Sequence, residues 1–311
     1  MIINIPENRY SSMLGVKKWL TANKNIEILN YEEVFQSLSL IISNQDSTVV
    51  SQKIIGIINN INTPNLNFIF QNGKKSLIQE SILFEQEIFL KAIFFFVTKN
   101  KYFGNYKNNF IENKIIYLKL AAQCGLKIPS TIITGDKKTV ENFYNLHKKG
   151  IITKSLGGSI RFESENDIYW GSGTTLVSKA DFEEIPDYFL PTLFQEKIEK
   201  EYEIRAYLFN EKFYSMAILS QKDDKTSLDF RNYNRENPNR MVPYKLPDQI
   251  EKNLLKFAKI TDLETGSFDL IVTKKEKEFI FLEVNPYGQF GWLSKNCNYY
   301  LEKQIAEYFE N

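Results

Sequence analysis

Near the carboxy-terminal end, Phe268-Asp269-Leu270-Ile271-Val272 and Phe279-Ile280-Phe281-Leu282-Glu283-Val284-Asn285 carry three oxygen-bearing side chains within two apolar stretches. Both stretches are short, rich in β-branched and aromatic residues and bounded by turn formers, which predicts strands. With a side-chain period of two, Glu283 and Asn285 share one face, and Asp269 can meet them from the neighbouring strand. Polar groups in such strands are costly to bury unless something engages them. Oxygen donors without nearby His or Cys suit a hard cation, Mg²⁺ above all, shared with a phosphate. The residues leave a second reading open, in which Asp269 and Asn285 cap strand ends and Glu283 faces water.

Further candidates lie upstream. Lys114 opens a helix-like run, Ile115 to Gln123. Lys154 ends the apolar stretch Ile151-Ile152-Thr153 and runs into Ser155-Leu156-Gly157-Gly158-Ser159. A lysine at such a strand end can project its ammonium onto phosphate oxygens while backbone N–H groups of a small-residue turn cradle them. Phe194-Gln195-Glu196-Lys197-Ile198 and Tyr202-Glu203-Ile204-Arg205-Ala206 then read as two strands joined by a short charged connection, with Glu203 and Arg205 on one face.

The ordered series of Lys114, Lys154, Gln195-Glu196-Lys197-Ile198, Glu203 with Arg205, and Asp269 with Glu283 and Asn285 resembles the ATP-grasp superfamily over about two-thirds of the chain. Ser220-Gln221, Thr226-Ser227-Leu228-Asp229-Phe230-Arg231-Asn232-Tyr233 and Asn239-Arg240-Met241-Val242-Pro243 narrow it. They look like the signature of the grasp-with-spasm peptide maturases among the graspetide synthetases, relatives of the enzymes that make microviridin-type peptides. The resemblance implies an α/β (α+β) chain with the ATP-grasp fold. An N-terminal α/β domain (1–107) would precede a small central lobe (108–190) and a C-terminal antiparallel-sheet lobe (191–311), with ATP between the last two. It implies that Lys114 and Lys154 bind the α/β-phosphates. Gln195, Glu196 and Ile198 would line the adenine hinge, largely through backbone groups, with Glu203 near the ribose. Asp269, Glu283 and Asn285 would carry two Mg²⁺, and Arg205 and Arg231 would stabilise the γ-phosphate and an acyl phosphate. The partner would be a precursor peptide of leader and core, its leader docking by strand addition or helix-in-groove on Phe213–Leu219 and the loop after it. Dimers are frequent among such enzymes, so the resemblance leaves a homodimer open. Two other classes stay open: another ATP-grasp carboxylate–amine ligase acting on a protein tail or free amino acids, and a non-catalytic ATP-binding module.

Composition agrees with a soluble globular protein. At 311 residues the chain can bury more than one lobe. Apolar residues are 43% and charged residues 25%, an ordinary globular balance. A net charge of +1 gives no polyanion a reason to bind, which argues against a nucleic-acid partner. The apolar run from Ile88 to Val97 is far too short for a bilayer span, and the amino-terminus lacks a basic flank. A cytoplasmic protein without membrane attachment is expected. Cys124 and Cys297 lack metal-site company, which fits a reducing interior. The single histidine, His147, reads as a solvated helix-end residue, so chemistry relying on a histidine base is not expected.

The elements that must position these residues follow from periodicity. Strands are expected at Ile2–Ile5, Ile26–Leu29 and Ser39–Ile42, with helices over Val16–Thr21 and Leu77–Val97. Trp19 and Phe94-Phe95-Phe96 read as core. A helix from Asn113 to Cys124 ends at Gly125, and a strand at Thr131–Ile133 precedes a helix at Val140–His147. Strands at Ile151–Lys154, Ser159–Phe162 and Asp167–Trp170 follow, then long strands at Glu203–Phe209 and Phe213–Leu219. Lys222 to Pro247 reads as loop, Asp248–Ile260 as helix and Tyr299–Phe309 as a closing helix.

Overall fold

The computed structural model describes residues 113–156, 173–232 and 234–310 continuously. Outside these it describes 2–4, 13–21, 28–29, 39–42, 47–50, 56–59, 85, 88, 101–104, 160–163 and 168–171. The chain divides into two compact units, one of Met1–Asn109, Asp262–Gly266 and Pro286–Asn311, the other of Phe110–Thr261 and Ser267–Asn285.

In the first unit, β1 (Ile2–Asn4), α1 (Met13–Thr21), β2 (Ile28–Leu29), β3 (Ser39–Ile42), β4 (Ser47–Val50), β5 (Gly56–Asn59) and β6 (Lys101–Gly104) follow in order. A four-stranded sheet in the order β2-β1-β5-β6 is parallel throughout, and β3 pairs antiparallel with β4. Parallel neighbours require crossover connections, in keeping with the alternating pattern of the sequence. Helix α1 buries Val16 and Leu20, one turn apart, and leaves Trp19 46% exposed, so the expectation of a core tryptophan is corrected. Its ring instead lies 5.7 Å from the ammonium of Lys303 on the helix Leu301–Glu310. The expected helix over Leu77–Val97 lies outside the described residues except for 85 and 88, which are helical, and Phe94–Phe96 lie outside altogether.

The second unit begins with α2 (Lys114–Gln123), β7 (Thr131–Asp136), α3 (Lys137–Leu146), β8 (Ile151–Lys154), β9 (Ile160–Glu163), β10 (Ile168–Gly171), β11 (Thr175–Val177) and β12 (Tyr188–Glu196). An antiparallel sheet in the order β11-β8-β12-β7 is covered on one face by α3, whose Val140 and Phe143 pack with Ile151, Val177 and Phe194. β7 continues past Ile133 because glycine at 135 permits it. A Cβ there would meet the Phe189 carbonyl oxygen at 2.1 Å, at the irregularity in β12.

The second sheet of this unit and its covering helix comprise β13 (Lys200–Phe209), β14 (Lys212–Leu219), β15 (Arg240–Tyr244), α4 (Asp248–Ile260), β16 (Gly266–Thr273) and β17 (Phe279–Asn285), with strand order β15-β14-β13-β16-β17. Asn210 and Glu211 close the β13–β14 hairpin, both with positive φ, the backbone that a tight two-residue turn needs. Two expectations are corrected. Arg240–Tyr244, within the stretch read as loop, is a strand; it is an edge strand, where Pro243 costs no ladder bond. β14 is paired with β13 along its length and with β15 over Ser215–Leu219, so strand addition on that stretch is blocked. No described helix is long and apolar enough to cross a membrane.

Phe257 of α4 anchors this sheet. It is fully buried and its ring lies 5.7 Å from Tyr117, 5.9 Å from Phe268 and 5.4 Å from Phe281. Phe268 and Phe281 belong to the strands that carry Asp269 and Glu283, so this packing fixes the site from beneath. Phe257→Ala is expected to cost about 3–5 kcal/mol in denaturant unfolding, against less than about 0.5 kcal/mol for Lys259→Ala on the exposed face of the same helix.

Candidate active site

A cavity of about 620 Å³ is lined from both sheets of the second unit and from the Glu196–Lys200 connection between them. From the first sheet come Ile152, Lys154, Leu176 and Gln195; from the second come Glu203, Asp269, Ile271, Leu282 and Glu283, with Asp229 and Arg231 from the loop after β14. That volume suits a ligand of nucleotide size.

Asp269 on β16 lies directly opposite Glu283 on β17, and Ser267 lies opposite Asn285. Leu270 pairs with Phe281, so Leu282 is an extra residue, a bulge that re-aims the strand beside the two carboxylates. The structure therefore brings Asp269 and Glu283 together, with Asn285 two residues along the same strand at its exposed end. Arg205 on β13 donates from one nitrogen to both oxygens of Asp269, at 2.9 and 2.8 Å. Lys114 lies 3.4 Å from Glu283 Oε2 and also reaches the Ser155 carbonyl, while Arg231 approaches Glu283 Oε1 at 3.7 Å. The two carboxylates titrate as a pair. Burial disfavours charge on Glu283, but Lys154, Lys114 and Arg231 outweigh it and lower its pKa. Burial raises the pKa of Asp269 against the pull of Arg205, and repulsion from Glu283 adds to the rise.

Lys114 occupies the first turn of α2, where the backbone dipole is unfavourable to a cation and the turn itself holds no acidic residue, so its charge is met by Glu283. Asn113 caps the helix by accepting from the Ile115 and Ile116 N–H groups, which fixes where that lysine emerges. Lys154, on the cleft face of β8, is pushed below the usual lysine range by burial and by repulsion from Lys114 and Arg231, against attraction from Glu283. Among the described residues no hydrogen bond or ion pair reaches its ammonium. Ser155 and Leu156 follow it, and Gly157, Gly158 and Ser159 of the expected phosphate turn lie outside the described residues.

Two pairs in the site were not read from the sequence. Lys200 falls in the short charged connection, yet it is buried, bonded to Glu203 and donating to the Leu228 carbonyl at 2.9 Å. Three positions apart on a strand, Lys200 and Glu203 give no periodic signal. Asp229, two residues before Arg231, is the second. It takes three hydrogen bonds from the Arg231 guanidinium, at 2.9, 3.2 and 2.6 Å, one from the Arg231 N–H and one from Thr174 Oγ1. Burial would raise its pKa, but these donors and the charge of Arg231 hold it at about 2. The spacing Asp229-x-Arg231 was the available signal. Arg231 itself remains half exposed.

The hinge divides by face. In register, Gln195 stands between Thr131 and Ile152, on the same side as Lys154; Phe194 and Glu196 take the other side, under α3. The Glu196 carboxylate therefore points away from the cleft. It accepts from the Ser130 N–H at 2.8 Å and lies 3.7 Å from His147 Nδ1. His147 does cap α3, but it stacks on Phe143 at 4.4 Å and is partly buried, which corrects the solvated reading. The Lys197 N–H is used by the Gly150 carbonyl, whereas no hydrogen bond among the described residues reaches the Ile198 N–H. Both cysteines are free and buried, and burial pushes the Cys297 thiol up to about 11, far from a reactive thiolate.

Three unmet demands converge on this cleft. Among the described residues the Lys154 ammonium has no direct anionic contact, Gln195 Oε1 lacks a donor, and buried Glu283 Oε2 has only the Lys114 ammonium near it, at 3.4 Å. A ligand bearing phosphates, a hydrogen-bond donor and a divalent cation would answer all three. Among the described residues no three His, Cys, Asp or Glu side chains gather into a metal cluster. A cation would thus rest on two carboxylates and the Asn285 amide, leaving coordination positions for phosphate oxygens, as Mg²⁺ prefers.

Glu203 offers a test of this electrostatic account. Burial raises its pKa to about 7 despite Lys200. A carboxyl with a raised folded-state pKa contributes stability in full at low pH and loses it as pH climbs through the folded value. The stability difference between ligand-free wild type and Glu203→Gln is expected to fall by up to about 1.4 kcal/mol per pH unit from about pH 4.5 to 7, then level off. A pH-independent difference in denaturant titrations would contradict it.

No protein-family model matches the sequence, and a search of curated proteins finds no match. Solved structures do match. The macrocyclase MdnC of Microcystis aeruginosa MRC, bound with precursor peptide MdnA, is 24% identical with a TM-score of 0.76, over 100% of this chain and 99% of that one. A Chryseobacterium gregarium RiPP-associated ATP-grasp ligase, in complex with ADP and a leader and core peptide, is 20% identical with a TM-score of 0.76, over 99% and 94%. D-alanine–D-alanine ligase of Bacillus anthracis is 15% identical with a TM-score of 0.54, over 99% and 95%. Spanning these enzymes over nearly its whole length, the chain has the ATP-grasp fold.

Proposed function

We propose that this protein is an ATP-dependent peptide maturase. It activates Asp or Glu side chains of a ribosomally made precursor peptide as acyl phosphates and joins them to Ser or Thr hydroxyls or Lys amines, closing ω-ester or ω-amide rings. One observation carries the reading: the opposed carboxylates Asp269 and Glu283 line a nucleotide-sized cleft together with Lys154 and Arg231, and are paired with Lys114 and Arg205. The fold supports it, since the peptide-bound macrocyclase matches at a TM-score of 0.76 and the amino-acid ligase at 0.54.

In this reading Lys114 and Lys154 hold the α/β-phosphates, and the base lies on the hinge of Gln195, Glu196 and Ile198 with Glu203 near the ribose. Asp269, Glu283 and Asn285 hold two Mg²⁺ ions. When bound, ATP supplies the phosphoryl group and Mg²⁺ screens the charge that builds during transfer. The chain does the rest by position. Arg205 orients Asp269 and adds its charge behind it. Arg231, half exposed and braced by Asp229, is placed to meet a carboxylate arriving from solvent and to pair with the acyl phosphate it becomes. The acceptor oxygen or nitrogen then attacks the acyl carbon, phosphate leaves, and the acceptor proton passes to phosphate or a carboxylate, so the peptide loses one water per ring. A cytoplasmic homodimer of a central lobe (108–190), a metal-bearing lobe (191–311) and an N-terminal domain (1–107) completes the proposal, with light scattering as the check on assembly.

The test is incubation of a neighbouring-gene precursor peptide with enzyme, ATP and Mg²⁺, followed by mass spectrometry. Loss of one water per crosslink is expected, and phosphate release triggered by free amino acids with an unchanged peptide would favour the other ligase class. Glu283→Gln should reduce ring formation at least about a hundredfold while its circular dichroism stays that of the wild type. Full activity in that variant would remove Glu283 from the metal site.

A further inference from the structure

Asp229 is buried, and each of its carboxylate oxygens has an anchor apart from the guanidinium it holds. Oδ1 accepts from the Arg231 N–H at 3.0 Å, and Oδ2 accepts from Thr174 Oγ1 at 3.2 Å. Thr174 stands just before β11, the edge strand of the first sheet, and lines the same cleft as the loop that carries Asp229. The second anchor therefore comes from the other sheet. A carboxylate fixed at one oxygen can still swing about that point; fixed at both, its plane is set. Arg231 meets Asp229 with Nε and Nη2, a planar two-point contact, so the guanidinium plane follows the carboxylate plane. Nη1, 3.7 Å from Glu283 Oε1, is the nitrogen left toward the paired carboxylates.

We propose that Thr174 is a positioning residue for phosphoryl transfer: from the first sheet, its hydroxyl sets the plane of the Asp229 carboxylate and so the aim of the Arg231 guanidinium. The proposal rests on the reading of Arg231 as the group that pairs with the acyl phosphate, and adds which group holds it to that task. Arg231 has freedom to lose. Its side chain is 52% exposed and hangs from a loop, and a long side chain of that kind resists a single geometry. A threonine suits the holding role, because its branched Cβ restricts the torsion that places Oγ1. Thr175 pairs with Thr153, so Thr174 stands alongside Lys154 at the end of β8. The lysine that would grip phosphates and the aim of Arg231 thus share one frame. The neighbouring Thr175 supplies a control, since it is exposed and its hydroxyl makes no hydrogen bond among the described residues.

Two measurements on the full chain test it. The first follows the Arg231 Nε–H by heteronuclear NMR of ligand-free, arginine-labelled protein, its signal assigned by its loss in Arg231→Lys. Thr174→Val should speed exchange of that proton with water at least about threefold, Thr174→Ser should restore the wild-type rate, and Thr175→Val should leave it unchanged. The second is ring formation in the precursor peptide with ATP and Mg²⁺, read by mass spectrometry. Thr174→Val should lower kcat about tenfold while KM for ATP stays within about twofold, and Thr174→Ser should recover most of the rate. In the Arg231→Lys background the same substitution should change kcat less than about threefold, since the group it positions is gone. Equal losses in both backgrounds, or unchanged Nε–H exchange in Thr174→Val, would make Thr174 a structural residue and overturn the proposal. Should Thr174→Val fail to fold, Thr174→Ala removes the same hydroxyl and is read in the same way. A wild type that forms no ring would overturn the maturase reading instead, and the exchange rates would still decide whether Thr174 holds Arg231.

Discussion

Asp269 and Glu283 stand directly opposite each other on two hydrogen-bonded strands, where like charges repel, and both are largely removed from water. Such a pair persists only if cations are held against it. Arg205 takes Asp269, and Lys114, Lys154 and Arg231 surround Glu283, two of them with further anchors in the Ser155 carbonyl and Asp229. The cations come from α2, β8, β13 and the loop after β14, so the two sheets and the segment leading into them converge on one electrostatic problem.

This arrangement has a direct consequence for a phosphate ligand. The lysines that would grip phosphates are the same ones that neutralise Glu283 in its absence. On the proposed reading, divalent metal and polyphosphate would enter as an exchange, the metal taking the carboxylates and the phosphates the lysines, at little change in local charge. Neither alone fits as well. A polyphosphate without metal would strip Glu283 of its cations, and a metal without phosphate would crowd against Lys114 and Lys154.

Much of the site was legible because strands have a period of two. The shared face of Glu283 and Asn285, the approach of Asp269 from the neighbouring strand and the lysine ending β8 all follow from it. What stayed hidden depends on contacts between distant segments. Lys200 is buried by a loop from residues 220–230, the bulge at Leu282 sets the Asp269 register, and Glu196 is tied to His147 and Ser130 on the far face. Trp19 misled because its neighbours Val16 and Leu20, not the tryptophan, define the buried stripe of α1. The edge strand at Arg240–Tyr244 misled because proline and asparagine mask strands except at edges. The fold itself persists at 24% identity to the macrocyclase, as expected when layer packing and alternation, rather than particular side chains, specify it.

The exchange of cations is tested most directly by ATP affinity with and without Mg²⁺ in wild type and Glu283→Gln, measured by calorimetry without peptide. Removing the Glu283 charge frees Lys114 and Lys154, so metal-free ATP should bind the variant several-fold, roughly fivefold, tighter than wild type, while the gain on adding Mg²⁺ shrinks. Metal-free binding that is unchanged or weaker in the variant, with the Mg²⁺ gain intact, would contradict the account.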